Sequence, residues 1–307
     1  MEQLNRILVI FDENHDTQTA LLRAIELCRI TNASIHIVST LYSTLNFING
    51  EILVETKELL RSRLMERRTK EVEETIAKLN VNDIAITQEI LWTPVAHEEI
   101  TEICADGGFD LLIKTASTHL RLEGYIHTPL DWHLLRECTC PVLIVTEEKW
   151  PSGSTILAAI DGISSDPEHM VLNSQIIEHA SYMGDLLDDT VHAATACPPL
   201  PVLVDLEYTT IDPRTYIEEM KKTALKRCRE TIKDTFLPGD NLHIVVGTPE
   251  LAISKLADEL DSRMIVLGTV SRTGLKGYIM GNTAEQILYH MNCDVLAVKP
   301  DNFSVNK

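Results

Sequence analysis

Aromatic side chains are scarce in this chain, 5% of 307 residues, and positive charge is outnumbered: 27 Lys and Arg stand against 46 Asp and Glu, a formal net charge of −19. No basic stretch exceeds a few residues. That argues against a nucleic-acid partner, because a phosphate backbone needs clustered Lys and Arg. It does not exclude a single nucleotide, which local backbone N–H groups can hold. No run approaches the ~20 apolar residues of a membrane span. The N-terminal Met1-Glu2-Gln3-Leu4-Asn5-Arg6 lacks the charged n-region and long apolar stretch of a signal peptide. The seven cysteines are odd in number, scattered and without a C-x-x-C pair. They predict a reduced, cytoplasmic protein with no disulfide framework. There is no G-x4-G-K-[S/T] loop, so the chain is not a P-loop nucleotide hydrolase. No Ser-His-Asp or Cys-His set can be assembled from spacing, and no catalytic residue is assigned.

What the chain does have is an internal repeat. Phe109 to Thr146 and Ser262 to Lys299 run in parallel, each with an apolar strand, a Gly-Tyr-Ile loop (Gly124-Tyr125-Ile126, Gly277-Tyr278-Ile279), a helix, a Cys (Cys140, Cys293) and a second apolar strand. The length alone suggests two domains of ~150 residues, and the repeat gives the same count. The boundary is placed in the Pro/Gly/Ser stretch Lys149-Trp150-Pro151-Ser152-Gly153-Ser154, giving domains 1–150 and 151–307. Hydrophobic content of 44% is enough for two cores.

Each half reads as strands alternating with helices. Ile7 to Ile10 ends in Asp12 after Phe11, and Ile156 to Ile160 ends in Asp161; both are continuous apolar runs, as in strands buried on two faces. Further strands are expected at 35–38, 84–90, 111–113 and 142–145, and at 191–195, 242–246, 264–267 and 295–298. Long charged helices are expected over Glu55 to Leu79 and Pro213 to Phe236. Pro94 and Pro249 each open a helix, where the missing N–H costs nothing. Leu200 to Asp212 reads as an irregular loop. The fold class is α/β: two tandem doubly wound five-stranded parallel sheets with helices on both faces.

In such sheets ligands bind beyond the carboxyl ends of the strands, where strand order reverses. In the second half those ends are Asp161 and Gly268. From Gly268 to Thr283 the loop carries glycines at both ends, Gly268 and Gly281. Glycine lets the backbone approach a ligand closely, and successive N–H groups form an anion-binding concavity. Asn282 and Thr283 can cap the helix from Ala284 to Met291, whose N-terminus favours phosphate. The first half has Thr115, Thr118, Thr128 and Pro129 at the corresponding places. None of these four places keeps a glycine, and Pro129 removes a backbone donor.

Over its whole length the chain resembles the universal stress protein family in tandem form. The stretches Asp131-Trp132-His133-Leu134-Leu135-Arg136 and Gly281-Asn282-Thr283-Ala284-Glu285-Gln286 carry the resemblance beside the two-domain layout. The resemblance implies an adenine nucleotide alpha hydrolase-like fold and a cytoplasmic stress-response role. It also implies a pseudo-two-fold in which the two halves pair through their last strands, with a homodimer as a further option. ATP-binding members share a G-x2-G-x9-G-[S/T] loop. Laid on this sequence it falls on Gly268, Ser271, Gly281 and Asn282, so two of the four positions depart. A Cβ at Ser271 costs roughly 1 kcal/mol if φ is positive there. The family's acid after the first strand falls on Asp161, with Asp12 as its counterpart; each is alternatively a turn or capping acid. The resemblance therefore makes ATP, with Mg, the expected ligand of the second half, at Asp161, Gly268, Ser271, Gly281, Asn282 and Thr283. At most weak hydrolysis is expected, since no general base presents itself.

Other readings stand beside this one. An apolar or acyl-chain ligand could lie in a crevice of the first half walled by Leu41, Leu45, Phe47, Ile48, Ile52 and Leu53; those side chains could equally just cover the sheet. A ligand-free scaffold is the third. Arg272 and Lys276 are surface cations that could touch phosphate. Cys138-Thr139-Cys140 with His127 and His133 has C-x-C rather than C-x2-4-C spacing, so zinc is not expected there. His97-Glu98-Glu99 lacks the second His of a metalloprotease helix and reads as a solvated face. Trp132 and His133 are assigned to a core or interface.

Overall fold

The computed structural model describes residues 3–12, 17–42, 54–117, 130–146, 150, 153–199, 212–233, 235, 237–271, 279–280, 286–288, 290 and 292–300. They form two compact units. The first holds β1 (Arg6–Ile10), α1 (Thr19–Thr31), β2 (Ser34–Leu41), α2 (Val54–Lys78), β3 (Ile86–Trp92), α3 (Ala96–Gly107), β4 (Leu111–Thr115), α4 (Leu130–Glu137) and β5 (Val142–Val145). Its strands lie in the order β3-β2-β1-β4-β5, all parallel, with Val9 opposite Ile37 on one side and Ile113 on the other. Leu111, Leu112, Ile113 and all four residues of β5 are buried. Continuous burial of this kind is what a sheet covered on both faces requires. One face is covered by α1, which buries Leu21, Ala24, Ile25, Leu27 and Cys28. It ends where Asn32 takes a left-handed φ of 60° and donates its N–H to the Cys28 carbonyl, a C-terminal cap asparagine tolerates.

The second unit holds β6 (Thr155–Ala159), α5 (Pro167–Leu187), β7 (Thr190–Cys197), α6 (Pro213–Ile232), β8 (Leu242–Val246), α7 (Pro249–Glu259), β9 (Ser262–Gly268), β10 (Val270–Ser271), β11 (Ile279–Met280) and β12 (Asp294–Val298). Its main sheet has the order β12-β9-β6-β7-β8, again parallel. Asp166 and Asp212 cap α5 and α6 ahead of a proline at the first helical position. Asp166 accepts from the Glu168 N–H at 3.0 Å. In both units the strand order reverses between the first and fourth strands, β1 beside β4 and β6 beside β9, which fixes where a crevice opens.

The differences from expectation lie at element ends. Pro94 precedes α3 by two residues, because the Thr93 hydroxyl accepts from the Val95 N–H at 3.1 Å and forms the turn itself. The helix begun at Pro213 stops at Ile232 instead of reaching Phe236. The loop after Gly268 is not open at its base: Val270 and Ser271 pair antiparallel with Met280 and Ile279.

One pH effect arises in this framework. His192 and His243, on neighbouring strands β7 and β8, face each other with Nδ1 and Nε2 2.9 Å apart and rings stacked at 5.1 Å. Burial lowers both from the ordinary histidine value, and the nearby His243 lowers His192 further. The unfolded chain then binds more protons than the folded one between ~6.5 and the depressed folded values. Stability is therefore full above that window and is lost as pH falls through it. Urea midpoints measured from neutrality to about pH 5 should decline, and His192→Gln/His243→Gln should flatten the decline. An identical slope in the double variant would contradict this.

Candidate functional site

In the second unit the strand order reverses between β6 and β9, and the candidate site is built at their carboxyl ends. From β6 the chain passes through Ile160 into Asp161 and Gly162. The Asp161 carboxylate is organised by its own turn. Oδ1 accepts the N–H groups of Ile163 and Ser164, both at 2.9 Å, and Oδ2 meets His169 Nδ1 at 2.8 Å. Asn173 clasps the Asp161 main chain from α5, accepting its N–H and donating to its carbonyl at 2.8 Å each. The side chain is still 41% exposed, so Asp161 is both a turn acid and a group that faces solvent.

Gly162 was not singled out in the sequence, although Asp-Gly is a turn signal. A Cβ there would lie 2.5 Å from Cys228 Sγ and 3.3 Å from the Ala224 carbonyl oxygen, so α6 packs directly on this turn. Burial, with Asp161 adding to it, pushes the Cys228 thiol up to about 12 and leaves it inert as a nucleophile. The Arg227 guanidinium donates to the Ile163 carbonyl and ties α6 to the same turn.

At the end of β9, Gly268 does not have the positive φ that a phosphate-loop glycine would favour. Its missing side chain instead makes room for α5: a Cβ would stand 2.5 Å from Leu172 Cδ2 and 2.9 Å from Cγ. Gly268→Ala is therefore expected to cost about 1–3 kcal/mol by overpacking, measured by urea unfolding with no nucleotide present; an unchanged midpoint would show that Leu172 simply steps aside. The next residue, Thr269, is 3% exposed, and its hydroxyl is buried without a hydrogen-bond partner among the described residues. Native structures rarely leave such a group unmet. Sequence reasoning passed over Thr269 because a threonine after a strand carries no pattern of its own. The Ser271 backbone lies in the β10–β11 pair. Gly281, Asn282 and Thr283, together with Arg272 and Lys276, lie outside the described residues.

The first unit fills the corresponding place from within. In the repeat register Lys114 of β4 stands where the second unit has Leu267. Its side chain is 3% exposed, and Nζ lies 2.8 Å from Asp131 Oδ1 and 3.8 Å from Asp12 Oδ2. It donates also to the Thr115 carbonyl at 2.7 Å and the Ser117 hydroxyl at 3.2 Å. Asp131, fully buried at the start of α4, accepts from Ser117 N and Oγ at 2.8 and 2.9 Å. The Thr115 hydroxyl accepts the Ala20 N–H at 3.2 Å, so it is spent on the first turn of α1. One ammonium between two carboxylates offers no net positive charge to an anion. Asp12 thus serves an internal network, and Thr118, Thr128 and Pro129 lie outside the described residues. Of the apolar wall expected in this unit, Leu41 ends β2; Leu45, Phe47, Ile48, Ile52 and Leu53 lie outside the described residues.

The Cys138-Thr139-Cys140 turn packs on α3, with Cys104 Sγ 2.7 Å from Cys140 Sγ. Hydrogen bonds from Cys138, then Cys140, pull the Cys104 thiol down against its burial. His133 points elsewhere, to Glu137 and His97. His127 lies outside the described residues. The reading of His97 as a solvated face is corrected: its ring is half-buried and stacked on His133 at 3.8 Å, because α3 packs on α4. No helix among the described residues is long and apolar enough to cross a membrane.

Comparison with known proteins agrees with this architecture. Universal stress protein E of Escherichia coli K12 is 33% identical over 99% of this chain and 96% of its own length. A homologue from Haemophilus influenzae is 26% identical over 97% of this chain and 98% of its own. Among solved structures, a functionally unknown protein from Pseudomonas aeruginosa PAO1 is 28% identical, covers 97% of this chain and 94% of that one, and superposes with a TM-score of 0.70. A universal stress protein from Archaeoglobus fulgidus DSM 4304 is 15% identical, covers 98% of both chains and reaches a TM-score of 0.65, a likeness of fold alone. The universal stress protein family model matches twice, over residues 3–146 and 154–299. With two such domains in tandem, the chain belongs to the universal stress protein family.

Proposed function

We propose that the protein is a small-ligand binder whose second unit takes an adenine nucleotide, ATP with Mg, at the carboxyl ends of β6 and β9, and that it binds without rapid turnover. The observation that carries this reading is the Thr269 hydroxyl, buried beside Gly268 at the strand-order reversal with no partner among the described residues. A ligand oxygen placed there satisfies it. Asp161, organised by its turn and open to solvent, stands at the end of the neighbouring strand, where a ribose hydroxyl or an adenine amine would meet a carboxylate. These residues fit a nucleotide: one hydroxyl donor and one carboxylate acceptor at a switch point are what such sites present. The first unit takes no part, because Lys114 and its carboxylates already occupy the equivalent place.

Titration calorimetry with Mg-ATP tests the reading on the folded full chain. Binding is expected with one site per chain. Thr269→Val removes the hydroxyl at nearly equal volume. It should raise the urea midpoint of the free protein slightly, since an unmet buried hydroxyl costs about 1–3 kcal/mol, and weaken ATP roughly tenfold, the worth of one hydrogen bond. Gly281→Val should abolish binding and Ser271→Gly should strengthen it. No heat up to millimolar nucleotide, or Thr269→Val binding as well as the parent, would end the proposal.

A further inference from the structure

Outside the crevice, the first unit brings three metal-ligating side chains together that nothing above employs. His133 and Glu137 lie one turn apart on α4, with Nδ1 and Oε1 3.1 Å apart. His97, in the first turn of α3, stacks its ring on His133 at 3.8 Å with an interplanar angle of 21°. One ligand atom from each of the three lies within 4.8 Å of the other two. We propose that His97, His133 and Glu137 form a binding site for a divalent transition-metal ion, Zn(II) by chemical class, that pins α3 to α4.

The donor set is the first argument. Two imidazoles and one carboxylate are a set that zinc takes with an open fourth position for water, and imidazole suits Zn, Ni and Cu rather than Mg or Ca. Distance is the second. Around a tetrahedral zinc with bonds of ~2.0–2.1 Å, neighbouring ligand atoms stand about 3.3 Å apart. The His133–Glu137 separation of 3.1 Å is already such an edge. Side-chain rotation of His97 at the start of α3 closes the others. Access is the third. The His133 and Glu137 side chains are 26% and 23% exposed, sheltered enough to hold orientation and open enough to leave a water position. Arg136 Nε, 3.9 Å from Glu137 Oε1, is itself 55% exposed and competes weakly for the carboxylate. Two neutral imidazoles and one carboxylate sum to one negative charge, which offsets half the charge of a divalent ion. The net charge of −19 on the chain also favours cation capture.

The thiols of Cys104, Cys138 and Cys140 are the competing donors. They are buried in contact with one another, while His133 faces the other way. A soft ion taken up there would show thiolate charge transfer, which gives the test its discriminating arm.

Metal-stripped full chain is titrated with Co(II) and followed by visible absorption, then displaced with Zn(II). One equivalent should bind with a low-coordinate visible band and no thiolate charge-transfer band in the near ultraviolet. His97→Ala and Glu137→Gln should each weaken binding at least tenfold while keeping the far-ultraviolet spectrum and the metal-free melting temperature. Zn(II) should raise the melting temperature of the parent and leave that of His97→Ala unmoved, since only folded protein presents the site. Absence of the band, a band unchanged in His97→Ala/His133→Ala, or a thiolate charge-transfer band would each overturn the proposal.

Discussion

Lys114→Met is expected to destabilise the first unit by about 3–5 kcal/mol, the cost of breaking a buried ion pair from one side. Lys114 is 3% exposed and Asp131 not at all. Among the described residues, without the ammonium at 2.8 Å, the Asp131 carboxylate keeps the N–H and hydroxyl of Ser117, two donors for a full charge out of water. Adding Asp131→Asn removes that charge and retains an acceptor for the Ser117 N–H, so the double variant should recover most of the loss. A cycle of the four proteins then gives a coupling energy. Urea unfolding in a Trp150→Phe background lets Trp92 and Trp132 report on the first unit; the chain has three tryptophans in all. A loss under about 1 kcal/mol for the single variant would place the network among surface pairs and remove the reason for treating the first crevice as internally filled.

Arg263→Met should cost the second unit a similar amount, about 3–5 kcal/mol, for the same reason in different geometry. Asp189, fully buried, lies between the end of α5 and β7, and Arg263 reaches it from β9. Nη2 donates to Oδ1 at 3.0 Å, and Nε approaches Oδ2 at 2.6 Å as an ion contact off the hydrogen-bond axis. The Trp150 ring lies over the guanidinium, 5.0 Å from its carbon, and Trp150 Nε1 donates to Asp294 Oδ2 at 2.6 Å. Arg263→Lys keeps the charge but not the planar fork or the stacking face, and should rescue less than half of the loss. Full rescue by lysine in urea unfolding would show that charge alone matters.

This second network also shows what composition leaves out. Lys149 to Ser154 holds Pro, Gly and Ser, and the boundary between the halves is placed there. Yet Trp150 is anchored to Asp294 and Arg263, and the Ser154 N–H donates to Asp189 Oδ1 at 3.2 Å. Those partners are more than thirty residues away, beyond the reach of local pattern. The strands were legible for the opposite reason. Runs such as Ile7-Leu8-Val9-Ile10 and Val295-Leu296-Ala297-Val298 are buried on both faces, so each residue reports its environment separately. Asp161 was legible as the acid after a strand. Its partners His169 and Asn173 were not, because they come from the first two turns of α5.

The order of residues by itself determined the tandem repeat, the alternation of strand and helix, and the absence of glycine from both ends of the first loop, because hydrophobic period and backbone permissiveness are local properties. Only the tertiary structure decided that Gly268 is small for the sake of Leu172, that Lys114 turns inward onto Asp131, that Thr269 is left without a partner among the described residues, and that His97 meets His133 and Glu137. Each of these depends on which elements the sheet order places side by side, and contact between distant segments leaves no period in the chain.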